Sequence, residues 1–250
     1  MTWPAVHFSD LKKFALSAAH FRASCEQKIE ATRAMRVGTI VHHIVCGPHN
    51  ARPLVCFDGW ERKGNAWKVF EDEHKGKVIV TAAEWADAKP IADAVLSDPV
   101  AMKLLANTRR EVALKWEDAG IECETDGIDF VGDGYIGDLK TTTCTEPRAF
   151  ARHAFKLLYH AQIAWLETGA QKNKIDTSKG LFLIGVETDP PHAVTCMRLV
   201  PDAIELGRRS YSLWLEKLRT ARENDHWPAY AQGVVDFELP AWVGEGDDDE

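Results

Sequence analysis

Apolar residues recur at helical spacing through Leu11, Phe14, Ala15, Ala18 and Phe21, which predicts a first helix from about Ser9 to Glu26. A second helical run covers about Val37 to Cys46 and stops at Gly47-Pro48. Residues 49–76 hold neither period and read as loop with short elements. Val78-Ile79-Val80 then leads into Thr81-x-x-Glu84, a capping box that opens a helix. That helix continues past Pro90, breaks near Ser97-Asp98-Pro99, and a last helical turn reaches Asn107. In the middle of the chain the period shortens. Glu111–Trp116 and Ile121–Val131 read as strands, Gly132-Asp133-Gly134 as a hairpin turn, and Tyr135–Thr141 as the returning strand. Glu146-Pro147 starts a long helix to about Gly169, with proline at the first helical position, where its missing N–H costs nothing. Leu181–Val186 is a buried strand, Ala193–Leu199 pairs with it, and Pro201–Arg222 is a final amphipathic helix. No repeat or interdomain linker interrupts the series. The order predicts one α/β domain over residues 1–243, with a central mixed β-sheet flanked by helices.

Composition adds to this picture without changing it. The 250 residues are 45% hydrophobic and 27% charged, a balance that suits a globular protein with a substantial core. No stretch approaches the roughly 18 to 20 apolar residues needed to span a bilayer. Met1 to Phe8 has neither a charged n-region nor an apolar h-region, so the expectation is a cytoplasmic protein that does not engage a membrane. The six cysteines are scattered, with no CxxC pair, which predicts reduced and mostly buried thiols rather than a zinc ribbon or a disulfide framework.

The net charge of −8 argues at first against a nucleic-acid partner. Yet Glu245 to Glu250 hold five acids and no base; without them 33 acidic residues face 30 basic ones. A local basic groove is compatible with that balance. Residues 244–250 read as a disordered acidic tail.

The stretch that carries chemistry is Gly127 to Thr142, GIDFVGDGYIGDLKTT. Residues two apart on a strand share a face, so Asp138 and Lys140 project together. Asp126 precedes them by about one hairpin. Two carboxylates beside an ammonium suit a hard divalent cation and phosphodiester hydrolysis, in which the cation polarises the phosphoryl oxygen and the lysine assists the attacking water. An Asp-x-Lys on a strand is by itself commonly a surface ion pair. Here Ile136 and Leu139 are core-type neighbours, and burying the pair is costly unless it serves a purpose.

Several separated motifs then resemble, in order, those of the RecE-type (exonuclease VIII-like) exonucleases of the PD-(D/E)xK superfamily. They are Phe8 to Lys13 for the opening helix, Gly38-Thr39-Ile40-Val41-His42, Glu111 to Trp116, Cys123 to Asp126, Asp138 to Thr142, and Tyr159-His160-Ala161-Gln162. Val186-Glu187 to Pro190-Pro191, Trp227-Pro228-Ala229 and Leu239 to Trp242 follow. The resemblance spans residues 8 to 243 and implies a restriction-endonuclease-like fold. It departs at Glu124-Thr125, where the family shows Arg-Pro, and at Leu166, where it shows tyrosine. The first departure leaves both Asp126 and Asp129 open as the metal ligand, with the place after Cys123 favouring Asp126. A single cysteine, Cys196, follows Cys144, so the iron–sulfur cluster of some superfamily members is not expected.

The resemblance implies that His42, Asp126 and Asp138 hold Mg²⁺, with Mn²⁺ as an alternative, that Glu111 supports a second ion or its water, and that Leu139 adds its backbone carbonyl. Lys140 would assist the water. Gln162 lies in an apolar stripe and needs a partner, either within the core or in DNA or the active-site lysine. His43 reads as structural, and Trp227 and Trp242 as packing anchors. Thr141 and Thr142 either fit the strand or touch DNA. Arg148, Arg152 and Lys156 repeat along one helix face, either solvated or in contact with phosphates. The implied activity is Mg²⁺-dependent digestion of one strand of linear double-stranded DNA, 5′ to 3′. It would leave a 3′ tail for a single-strand annealing protein of the RecT kind, in phage-type recombination, with the enzyme as a homo-oligomeric ring. An endonuclease or structure-specific nuclease, or a non-catalytic DNA-binding protein of the same fold, stands as the competing reading.

Overall fold

A computed structural model describes residues 3–26, 30–48, 53–231 and 233–239 of the chain. Trp242 and the acidic tail lie outside the described residues. The expected first helix is broken into three pieces, α1 (Phe8–Leu11), a 3-10 turn (Lys12–Ala15) and α2 (Ala18–Glu26). The break has a local cause: the Ser17 hydroxyl accepts the His20 N–H at 3.2 Å and restarts the helix. α3 (Arg33–Cys46) begins a turn earlier than the apolar period suggests, because the Thr32 side chain caps it by accepting from Met35 N. The segment expected to be irregular carries β1 (Leu54–Phe57) and α4 (Gly64–Glu73). β1 pairs in parallel with β2 (Val78–Thr81), which runs into α5 (Ala82–Ser97) through the expected capping box of Thr81 and Glu84. Glu84 is buried and also accepts from Arg36 at 2.7 Å and Arg62 at 3.0 Å, so this cap ties α3 to α5. α6 (Pro99–Leu105) follows, with Asp98 as its N-cap.

The predicted mixed α/β core is the one the chain adopts. β3 (Arg109–Asp118), β4 (Ile121–Gly132) and β5 (Tyr135–Thr142) are antiparallel neighbours. β6 (Gly180–Glu187) joins β5 in parallel, and β7 (Val194–Arg198) closes the five-stranded sheet antiparallel to β6. α7 (Pro147–Lys156) and α8 (Tyr159–Lys172) replace the single helix expected over this region. Leu158 between them adopts a left-handed backbone with φ +64°, which redirects the chain so that α8 lies on the sheet. α9 (Pro201–Asn224) packs on α8.

The two faces of the sheet bury separate cores. Ile128, Ile136 and Leu183 pack with Phe8 of α1, Trp165 of α8 and Trp214 of α9. Phe130, Leu139 and Ile184 pack with Ile40 of α3 and Ile91 of α5. The thiols do not follow the expectation of general burial. All six are free, but only Cys46 and Cys123 are buried, while Cys25 and Cys56 are exposed. Among the described residues no helix is long and apolar enough to cross a membrane.

α9 approaches α8 most closely at Gly207, where an added Cβ would meet His160 O at 2.4 Å and Ala161 Cα at 2.9 Å. Backbone atoms cannot step aside as a side-chain tip can. Gly207→Ala should therefore destabilise the fold by about 1–3 kcal/mol, read as a lower urea midpoint. An unchanged midpoint would mean that α9 can slide along α8.

Candidate active site

Three elements converge where β4 and β5 part. Their ladder runs from Gly132↔Tyr135 to Phe130↔Gly137 and no further pair follows. Instead, Leu139 N–H donates to Asp129 Oδ2 at 2.6 Å, so the carboxylate lies against the backbone of β5. His42, on α3, brings Nδ1 to 3.3 Å from the same oxygen. α3 can come this close because Gly38 faces the sheet without a side chain: a Cβ there would stand 3.2 Å from Thr141 Oγ1.

Asp138 and Lys140 share one face of β5, as the two-residue period requires. Lys140 Nζ is 2.5 Å from Asp138 Oδ2 and 4.9 Å from the centre of the Tyr159 ring. The ammonium is thus the close charge partner of the buried Oδ2. Gln162 Nε2 donates to the other oxygen at 3.4 Å. The amide thus finds its polar partner in Asp138, the residue paired with Lys140, rather than in Lys140 itself.

Glu111 enters from β3. The strand pairing is irregular between Val112 and Leu114, and Glu111 has φ +48°. Gly127 makes room for it, since a Cβ there would lie 2.4 Å from Glu111 Oε2 and 3.2 Å from its Cα. His42, Glu111, Asp129 and Lys140 line one cavity of about 610 Å³, with Lys12 and Tyr159 on its wall.

The titration of these groups follows from their burial together. Burial pushes the Glu111 carboxyl up to about 7, helped by the charge of Asp129. Burial also raises Asp138, against the pull of Lys140. For Asp129 burial acts the same way, but His42 and Lys140 outweigh it and the carboxyl is lowered. His42 is raised because Asp129 overcomes the effect of burial. Lys140 is raised as Asp138 and Asp129 likewise overcome burial. Lys12 is lowered by burial and by Lys140.

The sequence-predicted residues divide in this frame. His42, Glu111, Asp138, Leu139, Lys140 and Gln162 come together. Asp126 lines the same cavity but stands toward its rim, half-buried, 3.8 Å from His7 Nδ1, while Asp129 occupies the place beside Asp138. Thr141 faces the cavity. Thr142 is buried, and its hydroxyl is engaged with Cys144 at 3.4 Å. Arg148, Arg152 and Lys156 are exposed along α7 and do not line the cavity. His43 packs edge-on against Trp85, and Trp227 stacks on Phe21, both packing roles. Lys12 and Tyr159 are the site neighbours whose roles composition and spacing did not reveal.

The donors suit a hard divalent cation. Asp129, Asp138 and Glu111 offer oxygens and His42 offers a nitrogen. A carboxyl whose folded pKa lies above its unfolded one binds a proton more tightly in the native state. Its contribution to stability is full below about 4.5 and is lost as pH rises through about 7. In EDTA, wild type should therefore lose thermal stability relative to Glu111→Gln between pH 5 and pH 8. A difference that stays flat with pH would refute the raised carboxyl.

Residues 7–237 match the family described as PDDEXK-like domain of unknown function (DUF3799). No curated protein sequence matches the chain. A solved structure of a candidate exonuclease from Eubacterium rectale, 14% identical, matches with a TM-score of 0.64 over 97% of this chain and 93% of that one. Identity that low speaks for the fold alone, and the fold agrees with the family. The chain belongs to the PDDEXK-like domain family.

Proposed function

We propose that this protein is a divalent-metal-dependent nuclease acting on the ends of double-stranded DNA. The observation that carries this reading is the meeting of Asp129, Lys140, His42 and Glu111 at a cavity of about 610 Å³, with Asp138 held against Lys140 behind them. Family membership supports it, as does the fold shared with a candidate exonuclease.

Each residue has work that its position allows. Asp129, Asp138, Glu111 and His42 would hold the cation, with the Leu139 carbonyl as a further donor. When bound, the cation supplies Lewis acidity toward a phosphoryl oxygen and a lower pKa for water. Mg²⁺ fits the oxygen-rich set, and Mn²⁺ satisfies the same donors. Lys140 stays protonated at neutral pH, so it acts as a fixed positive charge that orients the attacking water and offsets charge on the phosphate. Gln162 fixes the rotation of the Asp138 carboxylate through its Oδ1. Asp126 is assigned no cation contact; at the rim it would help shape the approach to the cavity. Thr141 faces the cavity and is placed to meet the DNA backbone, and Arg148 and Arg152 on α7 offer exposed charges to phosphates.

The finer reading rests on the motifs shared with RecE-type exonucleases. It is 5′ to 3′ digestion of one strand, leaving a 3′ tail for a RecT-kind annealing partner, by a homo-oligomeric ring. Linear duplex labelled at either end, incubated with Mg²⁺ or with EDTA, tests the activity and the polarity together. Early metal-dependent release of the 5′ label with closed circles untouched is the expected result. Cut circles would make the enzyme an endonuclease, and no cleavage with any divalent metal would leave a DNA-binding protein. Lys140→Ala should lower cleavage by about 10²-fold or more while duplex binding persists. Retained cleavage would remove the lysine from the mechanism.

A further inference from the structure

Behind the oxygen-rich cluster lies a second set of donors. His42 and Cys46 stand four residues apart on α3, so their side chains share one helix face. Glu111 reaches the same spot from the bulged start of β3. A ring nitrogen of His42, Sγ of Cys46 and a carboxylate oxygen of Glu111 all lie within 4.8 Å of one another. Tetrahedral zinc, with bonds of about 2.0–2.3 Å, wants its donors roughly 3.5 Å apart. Closing that gap requires the three side chains to turn toward one another. The grouping offers one nitrogen, one sulfur and one oxygen, whereas the set beside Asp138 is rich in oxygen.

Cys46 is 3% exposed and packs in the core between α3 and the sheet. Apolar packing accounts for a buried thiol, but not for a sulfur that converges with an imidazole and a carboxylate. Burial and the charges of Asp129 and Glu111 hold the Cys46 thiol well above its usual range, against a smaller pull from Arg110, which is tied to Leu105 O at 2.5 Å and Val45 O at 3.3 Å. Mg²⁺ ignores sulfur; an ion of the zinc class binds it strongly enough to displace the thiol proton.

We infer that His42, Cys46 and Glu111 form a site for a thiophilic divalent ion of the zinc class, displaced from the hard-cation position toward α3. Three protein donors leave such an ion one open coordination position. Because His42 and Glu111 belong to both sets, the two ions compete, and Zn²⁺ suppresses cleavage even in an excess of Mg²⁺. That consequence rests on the nuclease reading; the binding itself does not.

Cobalt reports the sulfur directly. Titrating Co²⁺ into the metal-free full chain should raise a near-ultraviolet sulfur-to-cobalt charge-transfer band that saturates at one equivalent and disappears on adding Zn²⁺. Cys46→Ser should abolish the band, and the double variant Cys25→Ser/Cys56→Ser, which removes the exposed thiols, should keep it. Glu111→Gln leaves the sulfur in place and should weaken cobalt binding about tenfold or more. This variant decides the matter even if Cys46→Ser fails to fold. No band in the wild type, an undiminished band in Cys46→Ser, or unchanged affinity in Glu111→Gln would overturn the site. The readout needs no DNA. A protein that binds cobalt through Cys46 but never cuts DNA would keep this site and lose the nuclease reading, and an active nuclease with no band would do the reverse.

Discussion

The burial of opposite charges between β4 and β5 sets the terms for the rest of the structure. Asp129 and Asp138 are 6% and 4% exposed, and the Lys140 side chain beside them is half-buried. Desolvating each ion costs several kcal/mol, and only close partners recover that cost. The partners are present. Asp129 takes a backbone N–H and the His42 ring, and Asp138 takes the Lys140 ammonium and the Gln162 amide. The compensation is incomplete, since Asp138 and Glu111 both hold their protons more tightly than exposed carboxyls do. A divalent cation would supply the missing positive charge, and binding it would release those protons.

Several features of the fold serve that cluster. Glycine at 38 lets α3 lie against β5 and carry His42 to Asp129. Glycine at 127 leaves room for Glu111, whose left-handed backbone at the irregular start of β3 swings its carboxylate inward. The left-handed turn at Leu158 frees α8 from the direction of α7, so that Tyr159 and Gln162 sit over Lys140 and Asp138. Glu111 and Leu158 are the left-handed residues that aim side chains at the site. The same economy places Cys46 one turn beyond His42, giving the chain a sulfur donor next to its oxygen donors.

Much of this was legible in the sequence. The hairpin turn at Gly132-Asp133-Gly134, the Asp138–Lys140 period and the Thr81–Glu84 capping box are local signals, and each produced the expected element. What depends on tertiary context was not. A hydroxyl cap at Ser17 split the first helix, and a left-handed residue at Leu158 split the long one; neither interrupts the apolar period. For the choice between Asp126 and Asp129 the sequence offers two guides. Counting back from Gly132↔Tyr135 through the hairpin pairs sets residue 129 opposite residue 138, whereas motif spacing after Cys123 points to Asp126. Neighbours across a hairpin are fixed by its turn, which is the physical ground for proposing Asp129. Convergence of His42, Cys46 and Glu111 brings together helix and sheet residues 65 or more positions apart, which no local pattern encodes.

The central claim is that the cation and the chemistry sit on Asp129 beside Asp138. It is tested most directly by comparing Asp129→Asn with Asp126→Asn for cleavage of linear duplex DNA in Mg²⁺, with folding checked by circular dichroism. Asp129→Asn should lower the rate by about 10²-fold or more, the scale of losing a group that stabilises the transition state, and Asp126→Asn should stay within a few-fold of wild type. The reverse order, with Asp126→Asn inactive and Asp129→Asn active, would contradict the account and move the metal to the rim of the cavity.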